Sequence, residues 1–336
     1  MIKEISSFSE VPVGGETFVV YDANVAWIAE QIISRGAVGA VAVEATEENK
    51  TMETVMLLCR SMMEAGLSRG GEVICIGGGI TSDIGGFAAS IYKRGIPYVN
   101  VPTTLLAQVD AGIGGKTGVN LDSYKNMLGV IVEPRVTYIC ADAIRTLPRR
   151  ELLCGVAELV KTFLIADRAA YEEFCRCASP TSAVFINRAA GIKQGIVAED
   201  LYEKASLLSS RPSEARGEIS RAVLNFGHTF AHGIEHVAGL RGDDVAHGEA
   251  VAMGMILAAK LGDRLHGTAL APRLEADFER IGLPVKCPYA PEELVGAMER
   301  DKKAAGEKVR FVLLEDIGKP IFEMLAPDEA VDILSR

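Results

Sequence analysis

The sequence predicts a parallel α/β domain of Rossmann-like type over residues 1–148, followed by a mostly α-helical domain over residues 149–336. Three observations carry this reading. Up to about residue 145, short β-branched runs alternate with amphipathic helical stretches, the pattern of a parallel sheet covered by helices on both faces. One of those runs, Glu72 to Ile76, passes directly into Gly77-Gly78-Gly79 and then a helical segment. After Pro148 the period is helical, punctuated at Gly239, Gly267, Pro284 and Pro291.

In chain order, strands are expected at Thr17 to Tyr21, Val38 to Val43, Glu72 to Ile76, Tyr98 to Val101 and Val136 to Cys140. Helices are expected near Val25 to Ser34, Met52 to Ala65 and Ile84 to Lys93. In the second domain only Val309 to Leu314 reads as a strand, and Ala205 to Glu218, rich in Ser, Arg and Glu with Pro212, reads as an exposed loop.

Composition excludes several classes. A chain of 336 residues with 49% hydrophobic and 24% charged residues is globular rather than disordered, and long enough for two domains. No apolar stretch approaches the ~20 residues of a membrane helix, and Met1-Ile2-Lys3-Glu4 lacks a signal-peptide layout, so a cytoplasmic protein with no membrane partner is expected. Lys plus Arg total 35 against 45 for Asp plus Glu, a net charge of -10, with no basic run to follow a nucleic-acid backbone. An anionic substrate would therefore need cations gathered locally. The 7 cysteines are scattered without a CxxC pair, which suits reduced thiols better than disulfides or a thiolate zinc site.

Three motifs carry chemistry. The strand, triple glycine and helix start around Gly77 to Asp83 would let backbone N–H groups approach a pyrophosphate at the positive end of a helix dipole. The spacing is not GxGxxG; a triple glycine also serves as a plain tight turn, and Asp83 as a plain cap. Next, Pro102-Thr103-Thr104 precedes a glycine-rich run from Asp110 to Gly118 containing Lys116, with Lys125-Asn126 beyond it. Backbone amides plus a compact cation suit a phosphate, but the first glycine of a Walker A loop is replaced by Asp110, which disfavours ATP hydrolysis. Finally, four of the 5 histidines lie between His228 and His247, and His228, His232 and His236 share one helical face. Such imidazoles with a carboxylate make an open N/O site suited to zinc. The carboxylate candidate is Glu158, in an apolar helix with Lys161 one turn later, a pair that is costly to bury without a metal or an anion nearby.

These motifs together resemble the 3-dehydroquinate synthases, within the sugar phosphate cyclases. The matching segments run over nearly the whole chain: GGGxxxDxxGF at Gly77 to Phe87, YKRG at Tyr92 to Gly95, VPTTLLAQVD at Val101 to Asp110, then GGKTGVN and KNM. The second domain adds AExxK at Ala157 to Lys161, LNFGHTFxH at Leu224 to His232, HGEAVAMGM at His247 to Met255 and DKK at Asp301 to Lys303. The resemblance implies a dehydroquinate synthase-like fold and conversion of 3-deoxy-D-arabino-heptulosonate 7-phosphate, an anionic sugar phosphate, into 3-dehydroquinate and phosphate, with NAD recycled internally. It implies NAD contacts at Asp22, Asn24, Glu47, Lys50, Gly78, Gly79, Asp83, Thr103, Thr104 and Lys125, and zinc, or cobalt in its place, on Glu158, His228 and His247.

By the same resemblance Lys161, Lys116, Asn126 and Arg94 hold phosphate, and Asp110 and Asn225 hold hydroxyls. Lys193, Arg221 and Lys302 surround the carboxylate, and His232 relays a proton or hydrogen bond. A homodimer is implied, with Arg94 reaching the neighbouring subunit's phosphate site. His236 falls outside the motif and is read as structural. The sequence departs from the family in Ala111-Gly112, where a serine pair is usual, and in the stretch 205–218, which lengthens a hairpin by roughly a dozen residues. Competing readings are a deoxyinosose-type cyclase, a metal-dependent glycerol or alcohol dehydrogenase, and a non-catalytic paralogue. Arg221 with Lys193, the GGKTG and AExxK lysines, and the intact Glu158, His228 and His247 argue against them in turn.

Overall fold

A computed structural model describes residues 1–122, 124–177, 181–203, 220–302 and 308–335, so the stretch read as an exposed loop at 205–218 lies outside the described residues. The chain divides into two compact units, Met1–Gly155 with Thr181–Ala198, and Val156–Pro180 with Glu199–Arg336.

In the first unit, β1 (Ile2–Glu4), β2 (Thr17–Asp22), α1 (Ala26–Ile33), β3 (Gly39–Val43), α2 (Met52–Glu64), β4 (Glu72–Gly77), α3 (Gly79–Ile91) and β5 (Tyr98–Pro102) alternate along the chain. A hairpin of β6 (Lys116–Leu121) and β7 (Tyr124–Ile131) follows, then β8 (Val136–Ile139). Six strands form one parallel sheet in the order β1-β8-β5-β4-β2-β3. Period-2 alternation sorts its side chains: Phe18, Val20, Val73 and Cys75 join α2 and α3 residues in one core, while Val19, Ile74 and Ile76 join Ile28 and Ile32 of α1 in the other. β3 and β4 lie on opposite sides of β2, so the strand order reverses there, and the carboxyl ends of β2 and β4 flank the crevice where such sheets bind ligands.

The expected strands and helices are present, with three informative differences. α3 starts at Gly79 rather than near Ile84, because glycine is a poor helix former whose presence hid the first turn. The glycine-rich run carrying Lys116 continues into an antiparallel hairpin, which Gly, Lys and Asn, weak strand formers, concealed. A strand after Val309 to Leu314 was also missed: β9 (Val309–Asp316) pairs antiparallel with β10 (Lys319–Leu325), which begins Lys-Pro.

α4 (Arg149–Ala166) starts in the first unit and brings Glu158 and Lys161 into the second. After it come α5 (Arg168–Arg176) and α6 (Ala183–Glu199), then α7 (His228–Arg241), α8 (His247–His266), α9 (Ala271–Ile281), α10 (Pro291–Lys302), the β9–β10 hairpin and α11 (Pro327–Ser335). No helix among the described residues is long and apolar enough to cross a membrane. α7 and α8 approach at main-chain distance. Gly227, left-handed at φ +81, precedes α7, and a Cβ added at Gly254 of α8 would lie 2.2 Å from the Gly227 carbonyl oxygen. Backbone, not a flexible side chain, blocks that methyl, so the helices would have to separate. Gly254→Ala is therefore expected to destabilise by about 1–3 kcal/mol, the usual cost of overpacking. Urea unfolding checks this, and an unchanged midpoint would refute the close-contact account.

Candidate active site

The second unit brings together three residues that could hold a metal ion, one buried carboxylate and two partly exposed histidines. Glu158 is fully buried in α4, and its Oε1 lies 3.4 Å from His228 Nε2 and 3.2 Å from His247 Nε2. One ligand atom from each residue lies within 4.8 Å of the other two. Helix geometry accounts for the convergence, since both histidines are the first residues of their helices and the α7–α8 contact brings the rings to 5.7 Å between centroids. Lys161, 1% exposed, forms an ion pair with Glu158 Oε2. The far ring nitrogens are also engaged: His228 Nδ1 faces the Phe226 carbonyl oxygen at 3.3 Å, and His247 Nδ1 faces Glu235 Oε1 at 3.4 Å. Both partners are acceptors, so with a metal ion held at the Nε2 side each ring would keep its proton on Nδ1 and turn an Nε2 lone pair toward the common centre.

The charges respond to this crowding. Burial works to raise the Glu158 carboxyl, but the Lys161 ammonium and the two imidazoles outweigh it and hold the group well below the usual carboxylate range. Burial pushes His228 down despite Glu158. Burial also opposes charge on His247, yet its hydrogen bonds to the Glu158 and Glu235 carboxylates outweigh it and push the imidazole up to about 10. A cavity of about 230 Å³ opens beside His228, lined by His232, Asn225, Glu203, Thr229, Lys308 and Arg310, among others. Asn225 Nδ2 donates to Glu203 Oε1 at 3.1 Å. Arg221 is buried and donates to the Leu201 carbonyl at 2.8 Å. Lys302 falls in the last turn of α10, and its side chain lies outside the described residues.

The first unit places the other expected residues around the carboxyl ends of its strands. Asp22 ends β2 and accepts from Asn24 N and Nδ2 at 2.9 and 3.0 Å. Gly78 caps α3 and Gly79 opens it. Thr103 N donates to Gly77 O at 2.9 Å, and a Cβ added at Gly78 would meet Thr104 Cγ2 at 3.0 Å, so the turn after β4 is packed against the end of β5. Lys50, 5% exposed, donates to Asp83 Oδ2 at 2.6 Å and to Asn126 Oδ1 at 2.5 Å. Asn120 Nδ2 in turn donates to Glu47 Oε1 at 2.8 Å, and Asn120 Oδ1 accepts from Asn126 N at 2.8 Å. Asn126, expected beside phosphate, is thus joined to the Lys50 and Asp83 cluster. Asp110 lies in a single π-helical turn, Ala107–Ala111, and accepts from Lys193 Nζ at 2.5 Å. Lys116 and Lys125 are exposed on the hairpin, and Arg94 is exposed in a left-handed turn at φ 69.

Two family models match adjoining parts of the chain, one for the N-terminal part of 3-dehydroquinate synthase at residues 40–154 and one for its C-terminal part at residues 155–304. The chain belongs to the 3-dehydroquinate synthase family. A 3-dehydroquinate synthase of Geobacter metallireducens is 41% identical over 276 residues, 81% of this chain and 74% of that protein. One of Dictyoglomus thermophilum is 37% identical over 283 residues, 84% of this chain and 77% of that protein. Among solved structures, 2-epi-5-epi-valiolone synthase from Streptomyces hygroscopicus, with NAD+ and Zn2+ bound, aligns with a TM-score of 0.82 at 27% identity, covering 100% of this chain and 95% of that one. A 2-deoxy-scyllo-inosose synthase complexed with carbaglucose-6-phosphate, NAD+ and Co2+ aligns at 0.82 and 24% identity, covering 99% and 95%, and shares the fold. The fold is common to several cyclases; the family models and curated relatives single out 3-dehydroquinate synthase, a lyase of the shikimate pathway.

In this member of the 3-dehydroquinate synthase family, Glu235, Glu203, Lys308 and Arg310 are site-lining residues that the sequence reading missed. Glu235 alone left a signal, standing at i+7 from His228 and so on the same face of α7 as His232.

Asp83 gives the first unit a pH dependence. Burial raises its carboxyl from 3.8 to about 6, with Lys50 pulling the other way. A carboxyl raised by folding favours the folded state most below its unfolded value, and that contribution is lost as pH rises from about 4 to about 6. Carbon-13 NMR of the Asp83 carboxyl is expected to give a midpoint near 6, and Lys50→Met should move it higher. An ordinary midpoint in both proteins would refute this reading.

Proposed function

We propose that 3-dehydroquinate synthase activity in this chain uses NAD as a recycled cofactor in the first unit and a zinc ion in the second, with 3-deoxy-D-arabino-heptulosonate 7-phosphate as substrate and 3-dehydroquinate and phosphate as products. The observation that carries the reading is the convergence of Glu158, His228 Nε2 and His247 Nε2, with both Nδ1 atoms tied to acceptors. Two imidazoles, from which a bound ion would displace any Nε2 proton, and a carboxylate suit zinc and leave positions for substrate oxygens. For NAD, support comes from the crevice between β2 and β4, the Gly77 to Gly79 turn and the N–H groups opening α3.

When bound, NAD supplies reversible hydride acceptance at the substrate's C5. Zinc supplies polarisation of the hydroxyl and carbonyl oxygens there. The chain's own residues bind and orient. Glu158 keeps the buried Lys161 ammonium charged, so Lys161 can donate to an anionic oxygen, and Lys116 and Arg94 add exposed cations for the phosphate. The departing phosphate can itself take the proton lost in the elimination, which asks of the protein only that it hold that group in place. Asn225 and His232 line the cavity beside His228 and are assigned to substrate hydroxyls and proton relay. Arg221, Lys193 and Lys302 are assigned to the carboxylate, Asp110 to hydroxyls and Asn126 to phosphate, as the family resemblance implies.

Incubation with the heptulosonate phosphate should release one phosphate per substrate while absorbance at 340 nm stays flat, because the hydride returns to the carbon it left. NADH accumulating in step with product would favour a dehydrogenase. Glucose 6-phosphate, which lacks a carboxylate, should turn over far more slowly, and equal turnover would favour a deoxyinosose-type cyclase.

A homodimer with Arg94 completing the phosphate site of a second copy is part of the same proposal. Arg94→Ala and His228→Ala, each inactive alone, should regain activity when mixed into heterodimers. A demonstrated heterodimer without activity would count against the shared site.

A further inference from the structure

His247 is held from both sides. Its Nε2 faces Glu158 Oε1 at 3.2 Å, while its Nδ1 faces Glu235 Oε1 at 3.4 Å. The two nitrogens point to opposite sides of an imidazole, so Glu235 does not share an ion with Nε2; among the described residues the ligand set is Glu158, His228 and His247. Glu235 stands two turns along α7 from His228, with His232 between them on the same face, and its side chain is 19% exposed. The same helix therefore bears one ligand and the group that touches another.

The two histidines differ in what anchors them. His228 donates to a neutral carbonyl, at Phe226, two residues away. His247 opens α8, and its Nδ1 reaches across to another helix. A carboxylate acceptor fixes ring rotation and tautomer as a carbonyl does, and in addition raises the basicity of the ligating nitrogen.

We propose that Glu235 is the positioning residue of the metal centre, accepting the Nδ1–H of His247 and thereby holding Nε2 toward Glu158 and the ion. This rests on the zinc reading above. It adds a requirement that the ligand set alone does not make: substituting a residue that does not touch the metal must weaken metal binding.

The test is zinc affinity by chelator competition on the whole protein, with folding followed by circular dichroism. Glu235→Ala is expected to bind zinc about 10–100-fold more weakly than wild type, and Glu235→Gln, whose amide oxygen still accepts from Nδ1, to recover most of the loss. Nitrogen-15 NMR of the zinc-loaded wild type should show His247 protonated at Nδ1. The visible spectrum of the cobalt(II)-loaded alanine variant should keep the wild-type band intensity, since no ligand has been removed. Wild-type zinc affinity in a folded Glu235→Ala protein overturns the inference, as does a changed cobalt coordination, which would make Glu235 a ligand. If the alanine variant does not fold, Glu235→Met, of similar size but without an acceptor for Nδ1, decides: zinc binding about 10-fold or more weaker supports the inference, and unchanged affinity overturns it. A wild type that binds no zinc removes the zinc reading itself, whereas tight wild-type binding matched by the variants removes only the role of Glu235.

Discussion

A carboxylate with no exposed surface, Glu158, sits in α4 between the apolar runs Leu152–Ala157 and Leu159–Val160, and the second unit is arranged around that charge. Burying an unpaired charge is prohibitive, and losing one member of a buried pair costs about 3–5 kcal/mol. The surrounding chain supplies Lys161 from the next turn and imidazoles from the starts of two further helices. Each of these cannot move far without stranding the carboxylate. His228 and His247 open α7 and α8, so it is the starts of these helices that lie beside Glu158.

The first unit works by a softer constraint. Its ligand crevice comes from topology, because a parallel sheet whose strand order reverses at β2 leaves space beyond the strand ends. The polar cluster of Lys50, Asp83 and Asn126 ties the start of α3 to the β6–β7 hairpin. Asn126 adopts a left-handed φ of 55, a conformation Asn tolerates better than most residues. The hairpin that bears Lys116 and Lys125 is therefore fastened by the same lysine that meets Asp83 at the glycine turn.

Much of this was legible in the sequence, for physical reasons that also explain the omissions. The sheet declared itself because central parallel strands bury both faces and so read as continuous apolar runs, as in Val73 to Ile76. The convergence of Glu158, His228 and His247 was legible because a Glu in an apolar helix and clustered histidines are expensive unless used. Glu235 was passed over because a lone carboxylate on a helix resembles a solvated one; its i+7 spacing from His228 places it on the right face, but only its distance from His247 reveals the contact. The β6–β7 hairpin stayed hidden because its Gly, Lys and Asn residues are poor strand formers. For the same reason the start of α3 was displaced by a turn, its glycines favouring backbone access over helix propensity.

The contact between Gly254 and Gly227 has an evolutionary consequence. Where two helices touch through their main chains, the spacing of the groups they carry is inherited from the backbone and is insensitive to drift among the aliphatic residues around it. Substitutions such as Ile for Val elsewhere in that core can be absorbed by repacking, while the first added carbon at position 254 cannot. Most of the interior of the second unit can thus vary by repacking, while the separation of the two ligand-bearing helix starts is set by a single hydrogen atom at position 254.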